Sequence, residues 1–112
     1  MISFWAAISA AIAIAASAFG AHGASSPQAA EWLRTGGLYQ LIHAVAVIAL
    51  FRSLTVQGPS AALLIGSAIF AFTLYAMAMG APRWFGAITP IGGAIMIAAW
   101  LWIAWIYASS RT

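Results

Sequence analysis

The chain contains no cysteine and no lysine, and Glu31 is its only acidic residue. The missing thiols exclude disulfides, thiolate nucleophiles, thiolate metal centres and iron–sulfur clusters, and they leave the redox compartment unreadable. A lone carboxylate excludes any acid–base mechanism built on a carboxylate pair. The cations are Arg34, Arg52, Arg83 and Arg111, spread along the chain, so the net charge of +3 does not make the clustered basic surface that nucleic acid requires. Charged residues amount to 4% and apolar ones to 65%, against roughly 25% charged in soluble domains. A single domain of 112 residues with this balance cannot cover itself with polar surface and belongs in a membrane.

What the chain has is long apolar runs. A hydrocarbon core of ~30 Å needs ~20 helical residues at ~1.5 Å each. Four stretches meet this: residues 2–20, about 38–54, 60–80 and about 85–108. The first is read as a retained span rather than a secretory signal, because it is longer than a signal core and no Lys or Arg precedes it. Arg52, near the end of the short second span, can snorkel to the headgroups. Gly58-Pro59 and Gly80-Ala81-Pro82 break the helical pattern between spans. Short connections force antiparallel neighbours, which predicts an all-α, integral-membrane, up-down four-helix bundle with both termini on one side. In "SSPQAAEWLRTGG" a serine can cap, Pro27 suits a first turn and Gly36-Gly37 can end a helix, so a short interfacial helix is expected in the first connection. The alternative is that this segment runs straight into the second span.

Aromatic residues form two belts, with Trp5, Trp100, Trp102, Trp105 and Tyr107 on the terminal side and Trp32, Tyr39, Trp84 and Phe85 on the other. The arginines divide evenly between the two sides, and the free N-terminal amine tips the expected orientation toward cytoplasmic termini. Ala6, Ala10, Ala13, Ser17 and Gly20 recur at steps of three and four, a flat stripe against which a neighbouring backbone can pack. Ser67, Ala71 and Ala78 in the third span, and Gly86, Gly92 and Gly93 in the fourth, offer the same kind of contact.

In "YQLIHA", Tyr39, Gln40 and His43 share one sector of the second helix, and an ionisable residue there is expected to face the interior and find a partner. The fourth span opens with "GAITPIGG", where Pro90 and the paired glycines predict a kinked or partly unwound start. The topology puts "AFGAHG" with His22, the loop with Glu31, the start of the second span and the start of the fourth at one membrane face. This predicts a shared polar pocket of His22, Glu31, Tyr39, Gln40, His43, Thr89 and the backbone around Pro90.

These motifs, with "LYAMAMG", resemble in order and spacing the small four-helix membrane family typified by the bacterial protein YgdD, domain of unknown function 423, related to the transmembrane protein 256 group. Gly20, His22 and Gly23 match its first motif, Tyr39, Gln40 and His43 its second, and Thr89, Pro90, Gly92 and Gly93 its last. Where relatives tend to carry a serine-glycine-serine run before "LY", this chain has Ala71, Phe72 and Thr73, which reduces the polar contribution expected of that segment to Thr73 and Tyr75. The resemblance implies a four-helix protein of the bacterial inner membrane with no established activity.

The leading functional expectation is an accessory or scaffold subunit, associating with a larger membrane complex or with itself, without catalytic activity or cofactor. The alternative is a protein that binds or transports a lipid, quinone or small molecule at a polar pocket around His43. Haem would need His22 and His43 to approach each other, zinc would find only two imidazoles and Glu31, and no nucleophile–base pair suggests an enzyme.

Overall fold

The structure is a computed structural model and describes residues 2–50 and 56–109. Four long helices follow one another: α1 (Ile2–His22), α2 (Pro27–Leu50), α3 (Gln57–Ala78) and α4 (Thr89–Ser109). Each is long and apolar enough to cross a membrane. The expected second-span end at Leu54, Arg52 and Arg111 lie outside the described residues.

Consecutive helices run antiparallel, as the contacts between them show. A Cβ on Gly20 would lie 3.0 Å from Leu33 Cβ near one end of α1 and α2, while Ala6 and Val47 share a buried cluster near the other. Gln40 meets Tyr75, and Val47 clusters with Leu63, so α3 descends where α2 rises. Thr73 meets Thr89, and Trp102 lies over Gly58, which sets α4 antiparallel to α3. The helices pack mainly in chain order, with a slighter approach of α1 to α3. Ala6, Val47, Leu63, Ala99 and Ile103 form the core. Large apolar residues such as Ile14, Ile65, Ile97 and Leu101 face outward, as lipid contact allows.

The separate interfacial helix is not formed: residues from Pro27 onward are the first turns of α2, which continues through Gly36-Gly37 without a break. Glycine weakens an isolated helix, but here tertiary contact decides. A Cβ on Gly37 would overlap Ser17 Oγ and lie 3.0 Å from Ala13 O, and one on Gly36 would lie 2.8 Å from Tyr75 Cε1. The pair lets α2 slot between α1 and α3, so it serves as a packing notch rather than a stop. Ser26 accepts from Ala29 N at 3.0 Å and caps the start.

Between α3 and α4 the chain turns at Gly80, whose φ of +109° only glycine adopts readily, and passes through a 3-10 helix at Arg83–Ala87. Pro90 lies in the first turn of α4, where its missing N–H costs nothing. The unwinding expected at Pro90 and Gly92-Gly93 is not formed, because Pro90 falls in the first turn of a helix that continues through both glycines; the irregular 3-10 turn lies before it. The Arg83 guanidinium lies 5.8 Å from the centre of the Trp32 ring and links this connection to the first turns of α2.

Candidate functional site

Most interior polar groups form three small clusters, while the buried Ser67 hydroxyl donates to Leu64 O within its own helix and the buried Ser60 hydroxyl finds no partner among the described residues. In the first, Gln40 is fully buried, its Nε2 donates to Ser9 Oγ at 2.9 Å, and its Oε1 accepts from the Tyr75 hydroxyl at 2.6 Å. One carboxamide thus ties α2 to both α1 and α3. In the second, Thr73 and Thr89 hydroxyls meet at 2.6 Å, while Thr73 Oγ1 also reaches Ile69 O at 2.9 Å within its own helix. This contact joins α3 to the start of α4.

The third cluster is built on His43, which is buried on the α4-facing side of α2. Trp100 Nε1 donates to His43 Nε2 at 3.0 Å. An indole can only donate, so Nε2 carries the lone pair, and the Nδ1 proton is donated to Tyr39 O at 2.7 Å. Both nitrogens are satisfied by one tautomer of the neutral ring. Around them the Tyr39 and Phe70 rings meet edge to face with centroids 4.9 Å apart.

The residues expected to share a pocket are therefore brought together only in part. Tyr39, Gln40 and His43 share α2, but Gln40 turns to α1 and α3 while His43 turns to α4. Thr89 joins Thr73, and Pro90 is exposed. His22 is exposed at the end of α1, and Glu31 is exposed on α2, where it pairs with Arg34. With side chains 56% and 67% exposed, this Glu31–Arg34 pair is screened by water. Glu31→Gln is accordingly expected to change bundle stability by less than about 0.5 kcal/mol, as read by unfolding in a detergent titration. Among the described residues no three His, Asp or Glu side chains lie together as metal ligands would.

Of the small residues expected to pack, Ala6 and Ala13 are fully buried, Ser17 meets Gly37, and Gly20 meets Leu33. Gly92 is pressed against Gly66 and Phe70, whereas Gly86 and Gly93 make only looser contacts with Met77 and Phe70. Sequence reasoning missed Ser9 as a partner of Gln40 and placed Trp100 only in the aromatic belt. The one available signal was the presence of a polar or N–H-bearing side chain within an apolar run.

These features define a small, all-helical, multi-pass membrane protein whose helices are tied by interior hydrogen bonds and close glycine contacts. Residues 16–93 match the family model described as "Protein of unknown function (DUF423)", and the chain belongs to that family. It is 37% identical over 100 residues to a UPF0382 membrane protein of Haemophilus influenzae, covering 82% of this chain and 81% of that one. It is 35% identical over 103 residues to a UPF0382 membrane protein of Staphylococcus saprophyticus, covering 85% and 86%. The UPF0382 inner membrane protein YgdD of Escherichia coli is 34% identical over 105 residues, covering 86% and 80%. No solved structure matches the chain.

Proposed function

We infer that the protein is a non-catalytic accessory or scaffold subunit, which packs into a larger membrane complex and stabilises it. The observation that supports this reading is the Ser9–Gln40–Tyr75 tie, in which both ends of a fully buried carboxamide hold helices in register. A polar group used this way fixes shape, because its alternative in lipid is an unsatisfied donor and acceptor. The outer helices α1 and α4 then present large apolar side chains, among them Phe4, Ile14, Leu101 and Trp105, to lipid or to a partner.

The test is purification in a mild detergent from the native membrane after brief crosslinking, with mass spectrometry of the recovered material. A stoichiometric integral-membrane partner is expected. Recovery of the chain alone, as monomer or self-assembled oligomer, with and without crosslinking, would overturn the reading.

A further inference from the structure

Beside the His43 cluster the bundle surface is cut by a cleft of about 390 Å³ between α2 and α4, floored by α3. Tyr39 and His43 form one wall, Gly93, Met96, Ile97 and Trp100 the other, and Phe70 lies at the base. We propose that this cleft binds the flat, uncharged, carbonyl-bearing ring of a lipid-soluble quinone, with its apolar tail leaving along the lipid-facing side. The site does not depend on whether the protein has a partner subunit.

Four properties of the cleft select this occupant. The first is depth. Trp100 lies about 16 Å along α4 and Phe70 about 20 Å along α3, on helices about 32 and 33 Å long, so the deep end is near mid-membrane. A phosphate or ammonium headgroup is expensive there, whereas an uncharged ring is not. The second is shape. The rings of Tyr39, His43, Phe70 and Trp100 line the space, and aromatic walls favour a planar guest in stacked or edge-on contact.

The third is size, since small-molecule sites span roughly 300–1,000 Å³ and this one stands at the small end. It accommodates a substituted ring and the first part of a tail, but not the body of a two-chain lipid. The fourth is polarity. The lining is almost wholly apolar except for the Trp100 N–H on the His43 imidazole and the Tyr39 side chain, which is partly exposed. A carbonyl can accept from the Tyr39 hydroxyl or share the Trp100 N–H, so a ring with carbonyl groups gains direction as well as contact.

Gly93 makes the test clean, because a Cβ there would meet only Phe70 Cδ1, at 3.9 Å, and a larger side chain would grow into the cleft. The purified protein in lipid nanodiscs is titrated with a radiolabelled short-tail ubiquinone analogue, and partitioning into empty nanodiscs is subtracted. Saturable binding of one molecule per chain is expected, weakened at least about tenfold in Gly93→Leu and unchanged in Ala94→Leu on the exposed side of the same helix. Ile97→Trp, which fills the cleft from the lipid side, provides a second variant in case Gly93→Leu does not fold, and the same loss is expected. A long-chain alkyl alcohol is expected not to displace the analogue. Uptake that rises linearly without saturation, binding indifferent to cleft filling in the folded variants, or full displacement by the alcohol would each overturn the assignment.

Discussion

Gly92→Leu is expected to destabilise the bundle by about 3 kcal/mol or more, measured by unfolding in a sodium dodecyl sulfate titration or by steric trapping in bicelles. The reason is the α3–α4 crossing. A Cβ on Gly92 would lie 2.5 Å from Phe70 N and 2.6 Å from Gly66 O, both backbone atoms that no rotamer change can move. Gly66 is confined too, though less tightly, with a Cβ position 3.0 Å from Gly92 O. Inserting any side chain therefore separates the two helices, and in lipid their association rests on that close approach. The adjacent Gly93 is the internal control: Gly93→Leu meets no backbone and is expected to cost less than about 1 kcal/mol. Because Gly→Leu gains helix propensity at both positions, equal losses would show that the crossing distance at Gly92 does not govern the seam.

The second large effect is expected at Gln40. Gln40→Leu conserves bulk but leaves the Tyr75 hydroxyl and the Ser9 hydroxyl without the partner each has now. Interhelical hydrogen bonds in membranes are worth about 0.6 kcal/mol on average and up to about 1.7. Two such bonds, together with the penalty for buried groups left unpaired, give an expected loss of about 2 kcal/mol. Tyr75→Phe removes one bond and should cost less. In the double variant the losses should fall short of the sum, because the leucine at position 40 has already removed the acceptor of Tyr75. Strict additivity would mean that the 2.6 Å contact contributes nothing to stability.

The parts of this architecture that were legible in the sequence are those governed by local rules. Apolar length predicted four spans, and Gly80-Ala81-Pro82 predicted the turn after the third, because φ restriction and a missing N–H act within a few residues, whereas Gly58-Pro59, expected to break the chain before the third span, lies inside the first turn of α3. The alanine stripe of α1 was legible because helical periodicity places Ala6 and Ala13 on one face, and both are fully buried. The continuity of α2 was not legible. Gly36-Gly37 reads as a helix end by propensity, and only the positions of Ser17 and Tyr75 on two other helices explain why glycine is there.

The candidate site divides in the same way. That His43 would face the interior followed from the cost of exposing an imidazole to lipid, and Thr73 and Tyr75 stood out as the polar groups near the end of the third span. Their pairing was beyond local pattern: Gln40 lies 31 residues from Ser9 and 35 from Tyr75, and His43 lies 57 from Trp100. Hydrogen bonds across such separations depend on the rotation of each helix about its axis. Rotation is set by the glycine seams, and it sends Gln40 and His43 to different neighbours although they stand only three positions apart.

The packing of the helices in chain order bears on how the protein is made. A membrane chain emerges from synthesis N-terminus first, so each helix after the first finds its main packing neighbour already in the bilayer when it arrives. α2 can dock its Gly37 notch on α1 before α3 exists, α3 can then complete the Gln40 tie, and α4 closes last onto Gly66. Of the interhelical side-chain ties described, the His43–Trp100 bond has to wait for a helix two further on, while the contacts between neighbouring helices can form as each arrives. Assembly can thus follow translation, one helix at a time.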